Sequence, residues 1–451
     1  MGHVGSRLVS AARAMIAALG TGFAAGVAAC GGSPLHAATQ RTASVVWIED
    51  DYAAAMRNAR ETRRNVIALV GAAWCSSCRS ARSVVLTDRA LAGIADRYVW
   101  LAIDVERDAS AAFRARYASD ALPTTWVIDF SSGSAWAKWR GTLRLDDLAR
   151  LATIASDASA HRPITYEASD ALVRGLRAAA EGDDARAELA YRDGSKREAP
   201  PSEARDLAVQ ALLASLVVRG NSESCAEIAA REQGEVRGWN ARVVVLALGL
   251  HCGAPLVEAA RGALSTSAGS RDVLDDDRSA LYGALHRALV RRGDGAVAKQ
   301  IATEWVAFVE AARSRAGAPE ARSALDGPLL DACVALGDPA RALPSLAASA
   351  RASTNYDAPA RLAHALHLAG RLDEAIATLD RAIALAYGPR KIVVFAEEVD
   401  VQLERGNRDA ARRALDAALI LARSLPLEGS YAFLRAALEV RRAEWNRSQT
   451  K

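Results

Sequence analysis

Two thiols three residues apart, Cys75 and Cys78, are the side chains of this sequence best suited to chemistry. A C-x-x-C pair can form a structural disulfide, exchange that disulfide with another, or supply half of a zinc site. Zinc needs two further ligands. The other cysteines (Cys30, Cys225, Cys252 and Cys333) form no second close pair, and no histidine follows at a finger-like spacing. The redox reading therefore leads, with the structural disulfide and the zinc half-site kept as alternatives. In that reading Cys75 is the attacking thiolate. Cys78, one helical turn on and on the same face, is the resolving thiol that attacks a mixed disulfide. The first turn of a helix suits this chemistry, because its unpaired N–H groups and positive dipole end favour thiolate over thiol.

The flanking residues supply such a helix. Val66 to Val70 is an apolar, β-favouring run that reads as a buried strand, and Gly71-Ala72-Ala73 is a small-residue bend. A helix then runs from the first cysteine through Arg79 to about Leu86, with Trp74 packed beside the pair. Further on, Pro123 opens the apolar run Thr124–Ile128, a place where proline is tolerated at a strand start or edge. A cis bond between Leu122 and Pro123 would present the neighbouring N–H and C=O to an extended substrate. An ordinary trans proline stays open.

These residues carry a family resemblance. Trp47-Ile48 with Asp51-Tyr52-Ala53-Ala54-Ala55 resembles a first strand and helix, and Trp74-Cys75-Ser76-Ser77-Cys78 an active-site motif. Tyr98–Asp104 reads as a core strand, Leu122-Pro123-Thr124-Thr125-Trp126 as a cis-proline segment, and Gly141 before the helix from Leu145 as a terminal junction. Together they make residues 45–156 similar to a thioredoxin-fold domain, of the kind that ends bacterial transmembrane thiol–disulfide interchange reductases. The resemblance implies an α/β domain with a central mixed sheet flanked by helices. It implies Cys75 and Cys78 as the catalytic pair, with Trp74, Leu122 and Pro123 as substrate-binding residues. The redox-active disulfide then serves in place of any bound cofactor. The chain departs from its relatives where they often carry a buried acid: here stands Leu69, and a second acidic position is Arg82. With Arg79 alongside, local charge moves toward positive, which predicts a Cys75 pKa of about 7 or lower and slower resolution by Cys78.

The ends of the chain set its context. Arg7 and Arg13 precede an uncharged stretch that closes Val27-Ala28-Ala29-Cys30-Gly31 and resembles a lipoprotein signal (residues 1–29). By that resemblance Cys30 is lipidated and anchors the protein to a membrane, with residues 30–44 as a tether. The expected location is the bacterial periplasm, where disulfides persist and redox state depends on partner proteins.

Beyond His161-Arg162-Pro163 no strand pattern follows. Seven glycines (Gly182, Gly220, Gly253, Gly293, Gly337, Gly370 and Gly406) punctuate helical pairs at spacings near the tetratricopeptide period. Leu362–Ala382 and Gly406–Ala418 resemble tetratricopeptide copies. Residues 165–445 thus read as an all-α solenoid whose groove docks a protein partner, either the thiol or disulfide substrate or a redox donor or acceptor. Cys225 near the start of one helix and Cys252 at the end of the next are placed to form a structural disulfide. His364 and His367 are one turn apart, but no carboxylate or further histidine is placed to complete a metal site, so they read as groove or packing residues. Asp275-Asp276-Asp277 reads as charge at a helix N-terminus, and Cys333 as a buried small hydrophobe.

The 451 residues suffice for two or three domains. A net charge of +4 with 24 % charged residues leaves no nucleic-acid footprint. No phosphate loop, dinucleotide fingerprint or nucleophile elbow appears. The leading reading is an exported, membrane-anchored thiol–disulfide oxidoreductase. Its rival is a repeat scaffold or assembly factor with a vestigial redox fold.

Overall fold

A computed structural model describes residues 45–86, 91–159, 167–196, 202–425 and 429–449. The expected signal peptide (residues 1–29), Cys30 and the expected tether (residues 30–44) lie outside the described residues. Five strands, β1 (Trp47–Glu49), β2 (Val66–Gly71), β3 (Val99–Asp104), β4 (Thr124–Ile128) and β5 (Ala135–Arg140), form one sheet in the order β1-β3-β2-β4-β5. β2 runs parallel to β3 and antiparallel to β4, with Leu69 opposite Ala102 and Thr125.

The central strand β2 is buried along its whole length, as its uninterrupted apolar sequence requires when both faces of a sheet are covered. Alternate residues enter different layers. Ile67 and Leu69 join Trp100, Val127 and Leu148 of helix Leu145–Ser159. Val66, Ala68 and Val70 join Met56 and Ala59 of helix Tyr52–Thr62 on the other face. Asp51 caps that second helix by accepting from the Ala54 N–H.

After Arg140 every described element is helical. Antiparallel pairs follow one another, among them Asp275–Arg292 with Gly295–Arg315, Asp357–Leu368 with Leu372–Leu385, and Arg390–Glu404 with Arg408–Ser424. Helix Gly429–Gln449 closes the series. All seven punctuating glycines have φ between +69° and +94°, the left-handed conformation that ends a helix without a Cβ penalty. Cys225 and Cys252 are joined as a disulfide, with their Cα atoms 6.0 Å apart. No described helix is long and apolar enough to cross a membrane.

The two regions are not beads on a string. Trp139 of β5 shares one continuous core with Leu172 and Leu176 of helix Glu167–Ala180 and with the repeats that follow. The later repeats then return to the sheet beyond the C-terminal end of β2, where Ala73 and Trp74 pack against their core.

Candidate functional site

Cys75 is the N-cap of helix Ser76–Ser80, which continues as a wider turn over Ala81–Val85. Its Sγ accepts the Cys78 N–H at 3.1 Å, and the two cysteines are disulfide-bonded with Cα atoms 5.2 Å apart. Cys78 lies against the end of β2, so close to Gly71 that a Cβ there would sit 2.8 Å from the Cys78 Cβ. Trp74 and Leu122 pack on the pair. The Leu122–Pro123 peptide is cis, and the Pro123 carbonyl accepts from Gly141 N–H at 2.8 Å. Strand, bend, helix terminus and proline segment thus converge on two sulfurs.

The solenoid covers this site. Both cysteines are only 5 % exposed. Four successive first helices of the repeats aim their N-terminal turns at the motif. Asp276, in the first turn of Asp275–Arg292, accepts a hydrogen bond from the Ser77 side chain between the cysteines. Gly327, near the start of Asp326–Leu336, is packed so tightly that an added Cβ would lie 2.3 Å from Ser76 Oγ. Arg361 of helix Asp357–Leu368 donates to the Trp74 carbonyl at 2.9 Å and is held by Asp357 at 2.8 Å. Arg390 of the next first helix stacks over the Trp74 ring, 4.9 Å from its centroid.

A second set of contacts locks the loop that follows β3. The Glu106 carboxylate accepts from Trp74 Nε1 at 3.0 Å, Tyr356 OH at 2.6 Å and Tyr431 OH at 2.5 Å. Tyr387 OH donates to Asp104 at 2.5 Å. Burial pushes the Glu106 carboxyl above its ordinary range, against the hydrogen bonds from these three donors. Burial also pushes Asp357 up, but the Arg361 and Arg79 charges outweigh it and hold that carboxyl low.

These neighbours correct two expectations. The positive charge around the motif is already matched. Arg82 pairs with Glu49 at 2.5 Å, and Arg79 lies 3.3 Å from Asp357 and donates to the Ser323 carbonyl at 2.7 Å. One carboxyl, Asp276, also faces the cysteine helix at Ser77, so the two arginines add no unmatched positive charge to the argument for a low Cys75 pKa, which keeps the helix N-terminus and the Cys78 N–H. The histidine pair is not left incomplete either: Glu397, from another helix, contacts both His364 and His367. The acidic run does stand at a helix N-terminus, with Asp276 buried. Cys333 is buried and unpaired in a disulfide, and burial pushes its thiol upward.

Sequence reasoning missed Glu106, Tyr356, Asp357, Arg361, Tyr387, Arg390 and Tyr431. They come from positions up to 325 residues apart, and no local spacing links them.

A cleft of about 610 Å³ between the two regions reaches Cys78, with Arg79, Arg82, Asp104, Arg107 and Tyr387 on its walls.

Comparison with known proteins agrees with this division. Residues 47–129 match the thioredoxin-like family model, and residues 334–390 match a tetratricopeptide repeat model. No curated protein matches the chain. Among solved structures, a tetratricopeptide repeat protein from Parabacteroides merdae is 9 % identical, with a TM-score of 0.36 over 60 % of this chain and 99 % of that one. The five-stranded domain that carries the cysteine pair is thioredoxin-like, and the helical region packed around it contains a tetratricopeptide repeat at residues 334–390.

Proposed function

We propose that the protein is a thiol–disulfide oxidoreductase whose Cys75–Cys78 pair reacts with protein disulfides when the repeat region releases the motif. The observation that carries this reading is the placement of Cys75 Sγ at a helix N-terminus, accepting the Cys78 N–H, beside Leu122. In the reducing direction the Cys75 thiolate attacks one sulfur of a substrate disulfide and expels the other as a thiolate. Cys78, having lost its proton, then attacks Cys75 Sγ and frees the second substrate thiol. Two electrons pass from the pair to the substrate, and an external dithiol must return them.

The burial of both sulfurs gives this reaction a gate. A partner that competes for the repeat surface would expose the pair, so docking and catalysis become one event. The resemblance of residues 1–29 to a lipoprotein signal, with Cys30 as the lipidated residue, supports a location outside the cytoplasmic membrane in the same proposal. There Cys30→Ser should shift the protein out of the membrane fraction or block its processing.

The same burial favours a second reading, in which the pair is a structural disulfide within a repeat scaffold. Insulin reduction with dithiothreitol as donor separates the two. Catalysis above the dithiothreitol background, lost in Cys75→Ser, supports the oxidoreductase. With Cys78→Ala, a mixed disulfide at Cys75 should accumulate. Activity equal in wild type and Cys75→Ser sinks it.

A further inference from the structure

Two histidines and a glutamate meet in the repeat region, away from the cysteine pair. His364 and His367 stand one turn apart on helix Asp357–Leu368, and Glu397 faces them from helix Arg390–Glu404. Their ligating atoms all lie within 4.8 Å of one another. His364 Nδ1 is 2.9 Å from Glu397 Oε1, and His367 Nδ1 is 2.5 Å from the same oxygen. His367 is additionally held at its other nitrogen, Nε2, by Glu404 Oε1 at 3.1 Å. The His367 side chain is 3 % exposed, while those of His364 and Glu397 keep 17 % and 16 %. The cluster is enclosed with one open side.

Donor counting shows what the cluster lacks. A neutral imidazole has one N–H and one lone pair. When Glu404 takes the Nε2–H of His367, the Nδ1 lone pair of that ring points at a carboxylate oxygen. His364 directs its own Nδ1 at the same atom, to which its Nδ1–H tautomer donates, so the unmatched pair is the His367 Nδ1 lone pair against the carboxylate oxygen. Electron-rich atoms converge only around positive charge, either an added proton or a cation. A carboxylate on the far nitrogen is also how a metal-bound histidine has its tautomer and ring orientation fixed.

We infer that His364, His367 and Glu397 bind one divalent transition-metal ion, with Glu404 as the positioning residue for His367. Two imidazole nitrogens and a carboxylate oxygen suit zinc, and three protein ligands leave a position for water on the open side. Ligand atoms around tetrahedral zinc are about 3.3 Å apart, so each histidine nitrogen needs to move away from the Glu397 oxygen by less than about 1 Å. The ion would clasp the first helices of two successive repeats, the same helices whose N-terminal turns supply Arg361 and Arg390 to the cysteine loop. This inference is independent of the redox reading.

The test is zinc titration of the full chain, freed of metal with EDTA and kept with both disulfides oxidised so that their thiolates do not compete. Calorimetry should show one zinc per chain. His364→Ala and Glu397→Gln should weaken binding at least 100-fold, and Glu404→Gln, which leaves all three ligands, about 10- to 100-fold. Cobalt(II) should give visible ligand-field bands in the wild type and lose them in His364→Ala, with circular dichroism confirming the variant's helices. No zinc binding by the wild type, or equal binding by wild type, His364→Ala and Glu404→Gln, overturns the inference.

Discussion

Glu106 accepts one hydrogen bond from its own domain, through Trp74, and two from the repeats, through Tyr356 and Tyr431. A carboxylate can accept all three, whereas a carboxamide has one oxygen and a donor NH2 in place of the other. Glu106→Gln therefore leaves at least one buried hydroxyl or the amide without a partner, at a cost of about 1–3 kcal/mol. Urea denaturation should show the lower midpoint, and the Cys75–Cys78 disulfide should be reduced faster by dithiothreitol. An unchanged midpoint would mean that this carboxylate does not hold the two regions together. The contrast with the cysteines shows what can be read locally. Trp74, Cys75 and Cys78 lie within five consecutive residues, so strand, bend and helix periodicity were enough to bring them together. Glu106 and Tyr356 are 250 residues apart, and Trp74 and Arg361 are 287. An amphipathic pattern says that a helix buries one face; it does not say against what.

At the scale of the element, the glycine punctuation was legible because each hairpin needs the same left-handed residue at the same place, and the α/β pattern of residues 47–140 was equally local. What the repeats do with their N-terminal turns was not. Helix Asp275–Arg292 opens with three acids, which suits the helix dipole, yet Asp276 is buried and Asp277 is enclosed beside it. Burial, with the neighbouring Asp276 charge added, pushes the Asp277 carboxyl up to about 7, against the hydrogen bond from Asn240. An unfolded aspartate titrates near 3.9 (roughly). The folded state thus binds the proton more tightly, and the stability tied to it is full below about pH 4 and lost as pH rises toward 7. Each pH unit in that window removes at most about 1.36 kcal/mol. Thermal unfolding between pH 4 and 7 should show this decline, and Asp277→Asn should flatten it. A wild-type profile that rises across the window would contradict the burial argument. The Cys225–Cys252 bridge ties two consecutive helices elsewhere in the same array. Reducing it should cost about 3 kcal/mol in the chain-entropy view, measured as a lower urea midpoint in Cys225→Ser/Cys252→Ser.

For the whole molecule, the central fact is that the helical region packs on the chain's own thioredoxin-like domain. The array begins by sharing a core with β5 and ends by sealing the cysteine loop, so access to the sulfurs is a property of the whole chain. Gly388 offers a way to test this without touching a polar contact or a cysteine. It lies between helices Leu372–Leu385 and Arg390–Glu404, beside Tyr387, with φ +57°. An added Cβ would stand 2.3 Å from the backbone carbonyl oxygen of Glu106. Backbone cannot swing aside as a side chain can, so Gly388→Ala must push the repeats and the β3 loop apart. Left-handed strain adds roughly 1–2 kcal/mol, and that part needs a control. Gly370 has φ +72° and nothing within 4 Å of its added Cβ, so Gly370→Ala carries the strain without the wedge. Both variants should lose stability, but only Gly388→Ala should accelerate dithiothreitol reduction of Cys75–Cys78, by about tenfold for each 1.36 kcal/mol taken from the interface. If the two variants are reduced at the same rate, contact between the β3 loop and the repeats does not control the disulfide, and the gate must lie in the helix N-termini over Ser76 and Ser77 or nowhere.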